Sequence, residues 1–222
     1  MRHEIKHGPS FASLFLDLEA GEKIRTEAGC MVGMSPNLQI KTKAYGGLFK
    51  AIFRRLLGGE SAFQNTYTAE GGPGRLICSP TMPGQIRHYP LTRDKALMMQ
   101  GSSFLACDPS ISMKTAYGGV KAMVSGEGLF LLKLKGEGDL FYNSYGEILE
   151  VDVDGEYVVD TGHIVAFEDT LKFKIGKVGG LKSTLLSGEG LVARFKGRGK
   201  LYIQTRTLGA LLGWITPFLP VR

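Results

Sequence analysis

A glycine-rich motif recurs three times along the chain and constrains its fold more than any other feature. The motif opens with a Gly-Glu pair at Gly59, Gly126 and Gly188, so that successive copies are 67 and 62 residues apart. The second and third copies read SGEGLFLLKLKGEG and SGEGLVARFKGRG, whereas the first is a shorter GGESAF. Repetition at this spacing predicts one structural unit used three times. Because a unit of about 60 residues buries little apolar surface alone, we expect the three units to share a core.

Short segments of alternating polarity predict β-strands in every copy. The turns 35–37, 108–110 and 168–170 are each followed by apolar residues that alternate with Lys, Ser or Thr, which is typical of a half-buried strand. Glycines 136 and 138, and likewise 197 and 199, fall on the inward face and indicate a bend or the close approach of another backbone. We therefore predict an all-β protein of about 18 to 24 short strands, an antiparallel sandwich or barrel with pseudo-threefold symmetry.

The chain of 222 residues is predicted to be a single domain. Its three pseudo-repeats span about 1–84, 85–146 and 147–207, and an apolar tail follows over 208–222. No segment reaches the roughly 18 to 20 apolar residues of a membrane span, and the N-terminal segment lacks the apolar stretch of a signal peptide. Three cysteines without close spacing predict buried, reduced thiols instead of disulfides or a zinc site. These features favour a cytoplasmic location.

Charge is distributed in blocks within a net charge of +6. The segment 147–169 carries eight acidic residues and no Lys or Arg, whereas every charged residue after Glu189 is basic. Such a layout is consistent with a basic face that stacks on an acidic face or meets an anionic partner. The alternative is a set of solvated strand faces that differ in sign.

The first copy contains an additional segment, LFKAIFRRLL, between its glycine pairs. Apolar residues with helical spacing on one side and basic residues on the other predict a short amphipathic helix. Ten residues do not form a stable helix alone in water, so the apolar side must dock on the protein's own core, a membrane surface or a partner. The apolar tail offers the same alternatives. The residues assigned to this membrane or partner surface are Leu48, Phe49, Ile52, Phe53, Arg54, Arg55, Trp214 and Phe218.

The string GGLFKAIFRRLLGGESAF, the later SGEG copies and the tail sequence ITPFLP are similar to a known family. These are uncharacterised bacterial proteins related to a fungal mitochondrial-biogenesis factor of the altered-inheritance-of-mitochondria group. The similarity runs from about Phe11 to Pro220. It implies a triplicated β-fold like that of the tryptophan RNA-binding attenuation protein and a homo-oligomer, with a trimer favoured. It brings no reaction and no catalytic residues, and the fungal relative's association with the inner membrane favours a location peripheral to that membrane.

Two sets of equivalent residues are candidates for chemistry. Glu60, Glu127 and Glu189 occupy the same place in the three copies, and they would bind a hard cation if they met on an axis. Cys30, Ser103 and His163 also align, but turn or core positions explain them equally. The four histidines include no HxH pair, and no Walker loop, GxSxG elbow or HExxH is present. We therefore predict no catalytic residue, no metal and no cofactor.

RNA binding is a third hypothesis, suggested by the basic strand from Arg194 to Lys200. Single-strand binders combine such charge with aromatic platforms, and only Tyr202 shares that face. The second copy has Glu137 and Asp139 where a repeated RNA-binding surface would be basic. The sequence thus predicts a non-enzymatic structural or scaffolding protein, with a small-ligand or cation-binding module as the alternative and nucleic acid disfavoured.

Overall fold

The computed structural model describes residues 1–44, 63–117, 129–177 and 191–220. The predicted helix within 48–57 and the three repeated glutamates, Glu60, Glu127 and Glu189, lie outside these ranges. The helix and glutamate assignments therefore stay predictions.

Strands dominate the described residues, as the alternating patterns predict. The structure contains β1 (Arg2–Lys6), β2 (Ser13–Leu18), β3 (Lys23–Glu27), β4 (Met31–Met34), β5 (Leu38–Ala44), β6 (Phe63–Ala69), β7 (Gly74–Cys78), β8 (Ile86–Leu91), β9 (Ala96–Gln100), β10 (Phe104–Cys107), β11 (Ser112–Tyr117), β12 (Leu131–Lys135), β13 (Gly138–Asn143), β14 (Ile148–Asp160), β15 (Ile164–Glu168), β16 (Lys172–Lys177) and β17 (Leu191–Gln204). Helix α1 (Leu208–Ile215) and short 3₁₀ turns at Gly101–Ser103, Thr161–His163 and Thr216–Phe218 complete the described part.

The strands form three antiparallel sheets. The first has the order β1-β2-β7-β4, and the second has the order β5-β6-β3-β10-β13-β8. The third has the order β11-β12-β9-β15-β17-β14, with β16 also paired to β17. The protein is therefore mostly β, as predicted, with curled antiparallel sheets and one short α-helix in the part of the chain that the structure describes.

Strand pairing follows one order in each of the three predicted segments. In the first segment β7 pairs with β2 and β4, and β6 pairs with β3 and β5. In the second segment β13 pairs with β8 and β10, and β12 pairs with β9 and β11. In the third, the long strand β17 pairs with β14, β15 and β16. An axis that relates the three segments stays a prediction.

Neighbouring segments are joined by two equivalent strand pairs. Strand β10 pairs with β3, where Ala106 lies opposite Thr26. Strand β15 pairs with β9, where Ala166 lies opposite Met99. Both joints are antiparallel, and both place a strand of one segment beside the preceding segment's sheet. The second and third sheets thus each contain strands from two segments.

Apolar side chains pack between the sheets in three clusters. The first cluster lies between the first and second sheets and includes Leu14, Leu16, Leu76, Leu105 and Phe141. The second lies between the second and third sheets and includes Leu97, Met99, Phe104, Leu134 and Tyr142. The third lies under the curled end of the third sheet and includes Phe167, Phe195 and Leu201. Each cluster combines side chains from two neighbouring segments, and a core common to all three segments stays a prediction.

The inward glycines allow the close backbone approach that their positions predict. A Cβ on Gly136 would lie 2.6 Å from the carbonyl oxygen of Ser110, and a Cβ on Gly138 would lie 2.8 Å from the Cβ of Asp108. Both glycines have positive φ angles, 147° and 141°, which favour glycine. The turn between β10 and β11 therefore rests directly on the β12–β13 bend.

The described residues contain 17 strands. In the third segment β14 continues through Gly155, which pairs with Gly197 of β17 at a φ of 107°. Thirteen consecutive residue pairs between β14 and β17 hold both strands unbroken.

Candidate functional site

Three potential metal ligands meet where outer strands of the first and second sheets come close together. His3 lies on β1, His88 on β8 and Asp139 on β13. One ligand atom from each lies within 4.8 Å of those of the other two. His88 Nε2 and Asp139 Oδ1 are 2.6 Å apart, and the His3 and His88 ring centroids are 4.3 Å apart. It is the one group of this kind among the residues that the structure describes.

Strand pairing and aromatic packing fix these three side chains. Strand β1 is the outer strand of the first sheet and β8 is the outer strand of the second. The rings of both histidines rest on the buried Phe141, at centroid distances of 4.9 Å for His3 and 5.1 Å for His88. Phe141 lies opposite His88 in the β8–β13 register, and Asp139 lies two residues before it on the same strand. The period of two along a strand therefore places Asp139 and Phe141 on one face.

Electrostatics in the cluster differ between its members. Burial lowers the pKa of His3, and the nearby His88 lowers it further, while Asp139 raises it. The neighbouring Asp108 has a pKa raised first by burial and also by Asp139, although its Oδ2 accepts the Asp139 N–H at 2.6 Å. The cluster can hold a cation between two imidazoles and a carboxylate.

A second notable feature concerns two of the outer strands of the sheets, β4 and β14. Within the described residues, β4 pairs only with β7 and β14 pairs only with β17. Large apolar side chains are exposed on both strands: Val32 is 65% exposed and Val158 is 46% exposed. By contrast, β10 lies between β3 and β13, and all four of its residues are buried because apolar clusters cover both of its faces.

The apolar tail forms a helix that the sequence did not predict. Thr207 caps α1 by accepting the Ala210 N–H at 3.1 Å, and this Thr before an apolar run is the signal that could have identified it. None of the helix residues is buried. Trp214 is 67% exposed and Phe218 is 75% exposed, and their rings pack at 6.0 Å. None of the helices in the described ranges is long and apolar enough to cross a membrane.

The acidic and basic blocks lie side by side on β14 and β17. Lys196 binds Glu156 at 3.1 Å, and Arg198 binds Asp154 at 2.9 Å. Lys200 binds Glu150, which also contacts Arg87. The pKa of Glu150 is lowered mainly by its hydrogen bond to Lys200. Acidic neighbours thus neutralise most of the basic side chains on which the RNA hypothesis depends.

Residues that the sequence aligned as a second candidate set have separate partners in the structure. The Cys30 thiol donates to the Glu27 carbonyl at 3.1 Å, and Ser103 is buried in its 3₁₀ turn. The His163 Nδ1 lies 2.6 Å from the Gln204 carbonyl oxygen. All three cysteines are buried and free, as predicted for Cys30 and Cys107. The hydrogen bond with Cys30 and, second to it, burial raise the pKa of Cys78, and the same hydrogen bond lowers the pKa of Cys30.

A cleft of about 190 Å³ lies at one end of the second and third sheets. Its lining includes Gln100, Asn143 and Gln204 and the start of α1. The side-chain oxygens of Gln100 and Asn143 are buried without a hydrogen-bond partner in the described structure, and ordered water is the usual partner of such atoms. No local sequence pattern predicts this cleft, since its residues come from distant strands.

Taken together, these features define a mostly β protein built of curled antiparallel sheets, with open strand edges and an exposed apolar tail. The sequence profile of the mitochondrial biogenesis AIM24 family matches residues 3–206. The chain belongs to this family, as the resemblance in its glycine-rich strings indicated.

Two similar proteins come from Streptococcus pyogenes. An uncharacterised protein of the serotype M6 strain is 34% identical over 229 residues, which span 99% of this chain and 92% of that protein. The crystal structure of a Streptococcus pyogenes protein, solved by a structural genomics consortium, is 32% identical with a TM-score of 0.81. It covers 98% of this chain and 99% of its own.

Proposed function

We propose that the protein is a non-enzymatic scaffold that assembles head to tail with copies of itself. Strand β4 of one copy pairs with the C-terminal half of β14 in the next. The observation that carries this proposal is the pair of open edges, because their counterparts are paired elsewhere in the chain. Strand β4 corresponds to β10 and β15, and residues 156–160 of β14 correspond to β3 and β9.

The existing joints specify a register for the proposed contact. Strands β4, β10 and β15 share a bulge, between Met31 and Gly33, between Phe104 and Ala106, and between Ile164 and Ala166. Ala106 and Ala166 are the residues that face the neighbouring segment. By the same geometry Gly33 would lie opposite Val159, and Met34 opposite Val158. Pairing of exposed edges in this way is a common mode of self-association.

Such a contact is heterologous, since two different surfaces meet. Heterologous contacts produce closed rings when the rotation between copies closes, and open filaments when it does not. We propose a ring of three copies, consistent with the trimer that the family resemblance implies. Likeness to the ring-forming tryptophan RNA-binding attenuation protein stays part of this proposal.

Cysteine cross-linking tests the register directly. We would prepare Met34→Cys and Val158→Cys as separate variants and mix them under mild oxidation. Residues directly opposite in an antiparallel pair have Cα atoms about 4.5–5.5 Å apart, a separation that disulfides bridge. We expect a covalent dimer from the mixture and little from either variant alone. The native cysteines are buried, so they should form few cross-links of their own.

Other outcomes would contradict the proposal in recognisable ways. Cross-linking of the Met34→Cys variant with itself would indicate a symmetric contact between two β4 strands. A double variant that forms only an internal disulfide would show that the edges pair within one chain. A mass of one chain by light scattering at all accessible concentrations would exclude self-association.

A second role is favoured by the exposed C-terminal tail: docking on an anionic lipid surface. Trp and Phe prefer the membrane interface, and both Trp214 and Phe218 are largely exposed. Arg206, just before the helix, is exposed as well and would meet anionic head groups. This role is consistent with a location peripheral to a membrane.

Vesicle flotation tests the lipid role. We expect the wild-type protein to float with vesicles that contain phosphatidylserine, and a Trp214→Ser, Phe218→Ser variant to remain in solution. Phe11→Ser is the matched control, because Phe11 is an exposed aromatic residue, 72% accessible, far from the tail in sequence. Equal flotation of wild type and tail variant would exclude this role for the tail.

A further inference from the structure

We propose that His3, His88 and Asp139 form a zinc site that fastens the N-terminal strand β1 to β8. The ligands come from three strands in two different sheets. Nothing in the sequence links them, since His3 is 85 residues from His88 and Asp139 is a further 51 residues along the chain. The inference therefore depends on the packing of the two sheet edges.

The donor set is the first argument for zinc. Two imidazoles and one carboxylate, with a fourth position left to water, are a recurrent zinc environment. Imidazole ligands distinguish the site from the oxygen-only sites preferred by magnesium and calcium. An exposed group of carboxylates would carry no such preference.

Distances are the second argument. Ligand atoms about 2.0–2.1 Å from a tetrahedral zinc are about 3.3 Å from one another. The three ligand atoms already lie within 4.8 Å of one another, and His88 Nε2 and Asp139 Oδ1 are at 2.6 Å. Small side-chain rotations bring all three to ligand distance. Zinc takes the position of the hydrogen-bonded proton between His88 and Asp139.

Preorganisation is the third argument. Both imidazole rings are held against Phe141, so little side-chain freedom remains to be lost on binding. His88 and Asp139 lie on paired neighbouring strands, with Asp139 opposite Pro90 and His88 opposite Phe141. His3 is held by the pairing of β1 with β2. The charged groups that act on His3 are His88 and Asp139.

A bound ion would act as a structural staple. Strand β1 is hydrogen-bonded only to β2 among the described strands, although the Met1 amine also binds Glu22 at 2.5 Å. A metal that joins β1 to β8 would tie the open side of the first sheet to the second. Because the ligands converge only in the folded protein, zinc would raise its stability.

Calorimetric titration of the full chain with zinc chloride, after chelator treatment, tests the proposal. We expect one zinc per chain and a zinc-dependent rise in Tm. His3→Gln, His88→Gln and Asp139→Asn should each weaken binding at least tenfold and remove the rise in Tm. His7→Gln is the matched control, since His7 lies outside the cluster, and it should bind like the wild type.

Cobalt provides an independent readout, because tetrahedral Co²⁺ with nitrogen and oxygen ligands has a characteristic visible absorption. We expect this absorption in the wild type and its loss in the three variants. If circular dichroism shows that His88→Gln does not fold, the test depends on His3→Gln, because His3 is exposed. The absence of one-to-one binding, or zinc affinity unchanged in His3→Gln, would overturn the proposal.

Discussion

Strands β10 and β4 occupy the same place in two successive segments, yet their surroundings differ. Strand β10, with sequence FLAC, lies between β13 and β3, and all four residues are buried. Strand β4, with sequence MVGM, pairs with β7, and Val32 remains 65% exposed. Both sequences are apolar, so composition does not determine burial here. Two apolar clusters cover the two faces of β10, whereas no residue of β4 belongs to a buried cluster. The comparison identifies β4 as a surface that remains to be covered.

The largest effect is expected from truncating a buried leucine of β10. Leu105 is fully buried in the first apolar cluster, so Leu105→Ala should lower the free energy of unfolding by about 2–5 kcal/mol. Val32→Ala in β4 should change it by no more than about 0.5 kcal/mol at protein concentrations below assembly. Urea denaturation measures both. Similar losses in the two variants would show that β4 is covered in the single chain.

Glycine substitutions are expected to sharpen the same contrast. Gly138 has a φ of 141° and contacts Asp108, so Gly138→Ala should cost about 1–3 kcal/mol through strain. Gly33 has open space around its Cβ position, and its counterparts in β10 and β15 are alanines. Gly33→Ala should be neutral or stabilise by up to about 1 kcal/mol. Thermal unfolding of both variants provides the measurement, and a destabilised Gly33→Ala would refute the assigned equivalence.

A moderate effect is expected on assembly instead of on folding. Val32→Lys places a charge on the β4 edge, and charged edges block strand addition. We expect the mass in solution to fall to that of one chain, with the unfolding midpoint of the dissociated chain little changed. The matched control is Ile40→Lys, which places the same charge on an exposed residue of β5, an outer strand of the second sheet. Assembly that persists in Val32→Lys would exclude β4 as the contact.

The smallest effect is expected from the charged ribbon of β14 and β17. Arg198 and Asp154 form an exposed ion pair, and such pairs contribute at most about 1 kcal/mol. Arg198→Ala should therefore lower stability by less than that, and the difference should shrink in high salt because ions screen exposed charges. Chemical denaturation at two salt concentrations checks this. A salt-independent loss would indicate a packing role for the arginine side chain.

Much of the fold follows from local sequence signals. The turns at Ser35–Asn37, Asp108–Ser110 and Glu168–Thr170 lead into β5, β11 and β16, because Pro and Asx residues favour turns regardless of context. The continuous course of β14 through Gly155 was not predicted, since it depends on pairing with a partner strand about 40 residues away. Local sequence patterns thus predict where strands lie but not where each strand ends.

The candidate sites were less accessible to sequence reasoning. His3 and His88 do not form an HxH pair in sequence, because they meet only after the first and second sheets pack together. The open edges were equally hidden, as a strand's neighbours are a property of the whole topology. By contrast, Trp214 and Phe218 stand out in a short apolar segment of the sequence. Both are exposed, and their role in a membrane or partner surface stays a prediction.

Strand β17 extends over 14 residues and pairs with β14, β15 and β16, so it contributes to two of the three apolar clusters. Backbone amides that are sandwiched between two strands open only when both neighbours detach. Deuterium uptake should therefore be slowest over residues 192–196 and 201–203, where β17 has a neighbouring strand on both sides. The same property makes β17 a useful reporter of the order in which the three sheets separate when the molecule is pulled or heated.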